Sequence, residues 1–153
     1  PMKPSPKPIT SALLAAVTGL FLAVAPAHAN KLEPGPNGGK LLGTAPDQAE
    51  LLINPEGIAT ITFLDAEKRP TAPGDRTAAL FAQLETGRKA VELERKGDAF
   101  VSKEPLPKPE GYILVVQTRS APDAKPTNTR AKYEMHVCGG CKLSEYACTC
   151  EEH

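Results

Sequence analysis

Proline and glycine divide this chain into short segments, and no other feature of the sequence restricts the fold more strongly. Among the 153 residues are 16 prolines and 12 glycines. Proline lacks the backbone N–H that a helix interior or a central strand needs, and both residue types favour turns. We therefore expect short strands joined by turns.

The segments between these turns show apolar and polar residues in alternation, which is typical of half-buried strands. Residues 48–53 and 58–65 flank an Asn-Pro-Glu-Gly turn signal and are predicted to pair as a hairpin. The segment 76–85 also suits a helix because it is rich in Ala and Leu, but its turn-like flanks favour a strand. Further strands are predicted at 89–95, 98–103, 112–120 and 129–137.

This spacing of strands and turns predicts an all-β fold. About seven strands at intervals of roughly 8 to 12 residues indicate an antiparallel, immunoglobulin-like β-sandwich. Such sandwiches often carry a buried Trp and a Tyr at the start of a late strand. The chain has no Trp, while Tyr112 begins the apolar segment 112–120. Tyr112 is either a corner-fixing residue or an ordinary half-buried strand residue.

The first 29 residues have the organisation of a secretory signal peptide. Lys3 and Lys7 form a short positive region, an apolar run follows, and the Ala-His-Ala sequence at 27–29 is a small-x-small cleavage site. Cleavage there predicts a periplasmic or secreted protein with no membrane segment afterwards, and an uncleaved anchor helix is the alternative. The expected organisation is a signal peptide (1–29), a flexible Pro/Gly-rich lead-in (30–47), a β-sandwich domain (48–137) and a cysteine-rich tail (138–153).

The balance of charges argues against two classes of protein. The chain has 18 basic and 18 acidic residues, and therefore no net charge. It lacks the basic excess with which proteins bind nucleic acid or anionic membrane surfaces. No phosphate-binding Gly loop, Ser/His/Asp set or catalytically spaced pair of carboxylates stands out. We therefore expect neither a nucleic-acid-binding protein nor an enzyme.

All four cysteines lie close together near the C-terminus, as Cys138-Gly-Gly-Cys141 and Cys148-Thr-Cys150. Two glycines allow a tight turn between the first two thiols, in which backbone N–H groups point at the sulfurs. Residues two apart on a strand face the same side, so the second two thiols also lie together. The intervening sequence KLSEYA suffices for a short cysteine-rich hairpin. Four thiolates can then converge on one ion.

A histidine adds a fifth candidate ligand to this group. His136 precedes Cys138 by two residues, so on an extended strand both side chains share a face. A thiolate-rich site selects Zn²⁺ or Cu⁺ over hard cations. The Cys-x-Cys pair departs from the paired C-x-x-C of zinc ribbons, so the choice between zinc and copper stays open. The predicted metal ligands are Cys138, Cys141, Cys148, Cys150 and His136.

Two alternatives to metal binding remain. Thiols oxidise in exported proteins, and disulfides from Cys138 or Cys141 to Cys148 or Cys150 would staple a tail too small to have its own core. The protein would then be a disulfide-stapled interaction module with no metal. Thiol–disulfide exchange is less favoured, because a reactive Cys-x-x-Cys usually begins a helix and Cys138 follows a predicted strand.

The lead-in carries a resemblance to a known group of proteins. Its sequence EPGPNGGKLL (33–42) resembles the HGPHGGKL-like opening of small exported proteins and adaptor segments associated with heavy-metal efflux. The strands that follow, with FLDAE and a PEG turn, look like the β-sandwich modules of those periplasmic proteins. The resemblance implies metal handling, with a metal-efflux or other envelope protein as partner. Where that opening has histidines, this chain has Glu33 or Pro34 and Asn37, so no metal role is carried over to the segment itself.

Overall fold

A computed structural model describes residues 32–150, together with Met2. The described chain forms nine strands and one short 3₁₀-helix, and all strand pairs are antiparallel. The elements are β1 (Lys40–Leu42), β2 (Ala49–Ile53), β3 (Ala59–Phe63), β4 (Thr77–Leu84), β5 (Gly87–Val91), β6 (Leu93–Lys96), β7 (Ala99–Ser102), β8 (Ile113–Arg119), β9 (Thr127–Lys132) and η1 (Glu145–Ala147).

The strands form two sheets that share one core. The first sheet has the order β1-β2-β3-β7-β6 and the second has the order β5-β4-β8-β9. Side chains of both sheets meet in the core, among them Leu51, Ile61, Phe63, Leu80, Leu114 and Val116. The predicted all-β class is confirmed. The described chain has nine strands rather than about seven, and an immunoglobulin-like topology stays a prediction.

The predicted hairpin is formed by β2 and β3. Ile53 pairs with Ala59, and the Gly57 N–H donates to the Asn54 carbonyl at 2.9 Å to close the turn between them. Along β3 the side chains are alternately buried and half-buried, as the period-2 pattern of ATITF requires. Burial of one face in the core provides the hydrophobic stabilisation of the strand.

The segment 89–95, predicted as one strand, belongs to two strands in different sheets. β5 pairs with β4 and β6 pairs with β7, so the chain changes sheets at Glu92. Val91 and Leu93 both pack against the core, one from each sheet. Because these two side chains lie two residues apart and both face inwards, the local pattern is the same as that of a continuous strand.

The last predicted strand, 129–137, is β9, which begins two residues earlier and ends at Lys132. After it, the fully buried Tyr133 still donates its N–H to the Tyr112 carbonyl at 2.8 Å. The Met135 N–H donates to the Glu110 carboxylate at 2.8 Å rather than to a neighbouring strand. The cysteines therefore follow a segment that has already left the sheet.

Two further sequence expectations can be compared with the structure. Tyr112 donates its hydroxyl to the Pro107 carbonyl at 2.9 Å, and such a bond to the backbone a few residues upstream is the contact of a tyrosine corner. The lead-in 30–47 contains β1, a strand that was not predicted from the sequence. The signal peptide at 1–29 lies outside the described residues, apart from Met2.

Within residues 32–150, no helix is long and apolar enough to span a bilayer.

Candidate metal centre

The cysteines lie in a loop of residues 134–150, here called the cysteine loop, that folds back on itself. Its first half is held by an antiparallel bridge between Val137 and Ser144. The Cys138 N–H donates to the Leu143 carbonyl at 2.8 Å, and the Lys142 N–H donates to the Cys138 carbonyl at 3.1 Å. These bonds close the tight turn that contains Cys138 and Cys141.

The second half of the cysteine loop returns the chain to this turn through the short helix η1. The Tyr146 and Ala147 side chains of η1 are buried in the core. The Tyr146 hydroxyl accepts the backbone N–H of Ile53, at the end of β2, at a distance of 2.9 Å. Because η1 is anchored in this way, Cys148 and Cys150 emerge beside the first cysteine pair.

The four sulfurs form one group. All four lie within 4.8 Å of one another, and none of the four cysteines forms a disulfide. The sulfur of Cys138 lies 3.2 Å from that of Cys148 and 3.7 Å from that of Cys150, and the Cys141 and Cys148 sulfurs are 3.6 Å apart. Metal–sulfur bonds of about 2.3 Å in a tetrahedral site place neighbouring sulfurs about 3.8 Å apart. The four cysteines are therefore positioned to hold a metal ion.

A glycine allows the two cysteine pairs to approach. A Cβ atom on Gly140 would lie only 2.7 Å from the Cys150 sulfur, whereas one on Gly139 would have no neighbour within 4 Å. Of the two glycines between Cys138 and Cys141, the second is thus the one that the cluster requires.

The local environment gives the thiols different acidities. The backbone N–H groups of Thr149 and Leu143 donate to the Cys141 sulfur and lower its pKa. For Cys148, the Cys150 N–H lowers the pKa, but burial and the surrounding thiols outweigh it and raise the pKa to about 12. Crowded thiols resist joint ionisation because thiolates repel one another, and a bound cation removes that repulsion.

His136 is not part of this group of close sulfurs. Its imidazole Nε2 lies 3.6 Å from the Glu145 carboxylate across the antiparallel bridge, and the side chain is 64% exposed. Among the described residues, the group of close potential ligands consists of the four cysteines. Metal ligation by His136 stays a prediction.

Sequence reasoning missed the contribution of the lead-in to this region. The buried Glu50 carboxylate accepts the backbone N–H groups of Asn37 and Gly39, each at 2.9 Å, and the Asn37 side-chain amide at 2.8 Å. These bonds fix the turn that precedes β1. An acidic residue inside the apolar run AELLI was the one available signal, because a buried carboxylate needs hydrogen-bond donors nearby.

The fixed turn lies against the cysteine loop. A Cβ atom built on Gly38 would lie 3.5 Å from Cδ2 of Leu143. Lys40, the first residue of β1, is half-buried. Burial lowers the pKa of Lys40, and the neighbouring Cys148 acts in the opposite direction.

Comparisons with known proteins add no relative to this description. No family model, curated protein or solved structure matches the chain. The assignment of a candidate metal centre therefore rests on the four cysteines and their arrangement. The likeness of residues 33–42 to heavy-metal proteins stays an expectation.

Proposed function

We propose that this chain is an exported protein that binds one soft metal ion, Zn²⁺ or Cu⁺, through Cys138, Cys141, Cys148 and Cys150, and that it acts in metal handling. The observation that carries the proposal is the convergence of four cysteine sulfurs within 4.8 Å of one another. Thiolates are the ligands that zinc and monovalent copper prefer over hard cations.

The surroundings of the sulfurs support a role as metal ligands. Backbone N–H groups from within the cysteine loop donate to two of them, Cys141 and Cys148. Such bonds stabilise thiolates, and they are typical of the tight turns that hold structural zinc. The loop is also anchored in the core through Tyr146, which holds the ligands in place before the ion arrives.

The number of cysteines supports binding rather than catalysis. Catalytic zinc sites keep one coordination position open for water or substrate, whereas closed sites use four protein ligands. Four cysteines at these separations supply a complete tetrahedral set. A binding protein with no enzymatic activity is accordingly the reading that we propose.

The proposed location and setting come from the N-terminal part of the sequence. Residues 1–29 have the pattern of a signal peptide, and residues 33–42 resemble the opening of proteins associated with heavy-metal efflux. We propose the periplasm or the extracellular space as the location, and an efflux or other envelope protein as the partner.

Native mass spectrometry tests this function on the full chain, expressed with its N-terminal segment and purified from the periplasm without chelator or reductant. We expect a mass excess of one zinc or copper ion that is lost on acidification, because protons displace the metal from thiolates. The Cys148→Ser, Cys150→Ser double variant should lose the ion, and Thr149→Ser, between the two positions, should keep it. Equal metal content in the double variant and the wild type would refute the four-thiolate site.

One observation favours a second candidate, a disulfide-stapled interaction module. The pairs Cys138 with Cys150, at 3.7 Å, and Cys141 with Cys148, at 3.6 Å, use all four thiols and cross the loop. In that case the native mass would show a loss of four hydrogens and no ion. Alkylation without reductant would then modify none of the cysteines, whereas a metal site releases four reactive thiols once a chelator is added.

A further inference from the structure

The two sheets do not depend on the cysteine cluster for their core. Among the described residues, the core cluster between the sheets contains no cysteine. From the cysteine loop, Tyr146 and Ala147 belong to this core and Met135 packs against it. Small domains that need a metal ion to fold lack a hydrophobic core of sufficient size. The two sheets can therefore pack whether or not an ion is bound.

Hydrogen bonds within the protein also hold the cysteine loop in its shape. The Glu145 N–H donates to the His136 carbonyl at 2.9 Å, and the Tyr146 N–H donates to the Glu134 carbonyl at 3.1 Å. The Tyr146 hydroxyl in turn accepts the Ile53 N–H of β2. None of these bonds involves a sulfur atom, so they do not require a bound ion.

The four cysteines differ in their contact with solvent. Cys138 is buried, with 4% of its surface exposed, whereas Cys141, Cys148 and Cys150 are only half-buried. Three of the four proposed ligands are thus in contact with solvent in the folded protein. The ligands of a second molecule can reach an ion bound there without unfolding the loop.

Building on the proposed metal site, we infer that the cluster holds its ion as exchangeable cargo, which passes by ligand exchange at Cys141, Cys148 and Cys150 to an acceptor that offers thiolates. In each step, one acceptor thiolate forms a bond to the ion and the bond from one of these three cysteines breaks. The acceptor thiol gives its proton to solvent and the released cysteine takes one up, so no electrons are transferred. Cys138, which is buried, is the last ligand to leave.

The class of acceptor follows from the chemistry of the ion. Zinc and monovalent copper prefer thiolates to hard oxygen ligands, so a molecule with thiols of its own is the acceptor that can compete with four cysteines. A structural metal would instead supply the folding energy of a chain that is unfolded without it. Here the ion should stabilise the protein only by mass action, as any ligand of the folded state does.

The first measurement compares the metal-free and the Zn²⁺-loaded full chain, with a phosphine as the reductant. The metal-free chain should give the circular dichroism of the loaded chain and should unfold cooperatively in urea. A metal-free chain that is unfolded would overturn the inference, because the ion would then be structural, while the proposed metal binding would stand.

The second measurement follows the transfer of Zn²⁺ from the loaded full chain to a chromophoric chelator in a stopped-flow instrument. Dithiothreitol, a small dithiol, should raise the rate constant of transfer in proportion to its concentration, because its thiolates replace the cysteines one by one. Threitol, the diol of the same shape, is the matched control and should leave the rate constant unchanged. Equal rate constants with the two compounds would overturn the inference.

Urea distinguishes exchange in the folded protein from exchange through an opened loop. Opening would expose Tyr146 and Ala147, so transfer by that route accelerates with urea. Below the unfolding transition, the rate constant should stay within about twofold of its value in water, and a steep increase would overturn the inference. A wild type that binds neither Zn²⁺ nor Cu⁺ would instead refute the proposed function, so the two failures are distinguishable.

Discussion

The hydroxyl of Tyr146 accepts the backbone N–H of Ile53 at 2.9 Å and so joins the cysteine loop to the end of β2. Ile53 is the last residue of β2 and pairs with Ala59 of β3. The bond lies in the core, where an unpaired N–H is costly. Because η1 lies directly before Cys148, this single contact links the packing of the core to the position of two sulfurs.

Removing that hydroxyl should destabilise the fold. Tyr146→Phe leaves the Ile53 N–H buried without an acceptor, which costs about 1 to 3 kcal/mol. Urea unfolding of the metal-free, reduced protein measures the change in free energy of unfolding. Tyr112→Phe is the control, because its hydroxyl is only partly buried, and its effect should be smaller. An unchanged unfolding free energy for Tyr146→Phe would show that the contact does not hold η1.

The two glycines of the first cysteine pair should respond differently to the same substitution. Gly140→Ala places a methyl group 2.7 Å from the Cys150 sulfur, whereas Gly139→Ala meets no atom within 4 Å. We expect Gly140→Ala to lower metal affinity at least tenfold and Gly139→Ala to leave it within about threefold of the wild type, since misplaced ligands lose much of their binding energy. Chelator competition measures both. Equal affinities would contradict the arrangement of the four sulfurs.

His136 should not be required for metal binding. Its imidazole lies 3.6 Å from the Glu145 carboxylate, while the four cysteines already supply a tetrahedral set. His136→Ala should therefore keep one ion per chain and the absorption bands of a four-sulfur site when Co²⁺ replaces the native ion. A shift of those bands, or a weaker affinity than that of the exposed-surface variant Lys89→Met, would make His136 a ligand.

The carboxylate of Glu50 should be needed for the order of the lead-in. It accepts three N–H donors while nearly fully buried. Glu50→Gln replaces one acceptor oxygen with an amide donor that faces other donors, and this should cost about 1 to 3 kcal/mol. Hydrogen exchange should show faster exchange of the Asn37 and Gly39 amides in the variant. Protection equal to that of the wild type would refute the role of Glu50.

In acid, the protein should lose the stability that the ionised Glu110 carboxylate provides. Lys108 and the Met135 N–H hold the pKa of this carboxyl below its usual value of 4.5. A lowered pKa in the folded state stabilises the protein above the unfolded-state pKa, and this stabilisation is lost as the pH falls through the folded-state pKa. Glu110→Gln should thus be less stable than the wild type at pH 7, with the difference shrinking below about pH 4.5.

The Glu110 experiment uses metal-free, reduced protein, so that loss of a metal ion in acid does not contribute. The exposed Glu104→Gln serves as the control. A constant difference between Glu110→Gln and the wild type at pH 7 and pH 3 would contradict ionisation as its cause.

The local sequence pattern identified most of the strands, but it did not show which strands pair with one another. The alternation in ATITF identified β3 because the period of two is a property of the strand itself. The change of sheets at Glu92 was invisible, since Val91 and Leu93 face the core in either arrangement. The end of β9 at Lys132 was likewise invisible, since the predicted strand ran on to Val137, whereas the Met135 N–H donates to the Glu110 carboxylate.

The order of the amino acids was enough to predict an all-β protein whose four thiols lie close enough along the chain to meet. Both follow from short-range chemistry, namely the strand period, the turn residues and the two cysteine spacings. That the four sulfurs actually lie within 4.8 Å of one another, in a loop anchored by Tyr146, is a result of the folded structure. Contacts between residues far apart in the chain depend on how the sheets pack, and no local pattern records that packing.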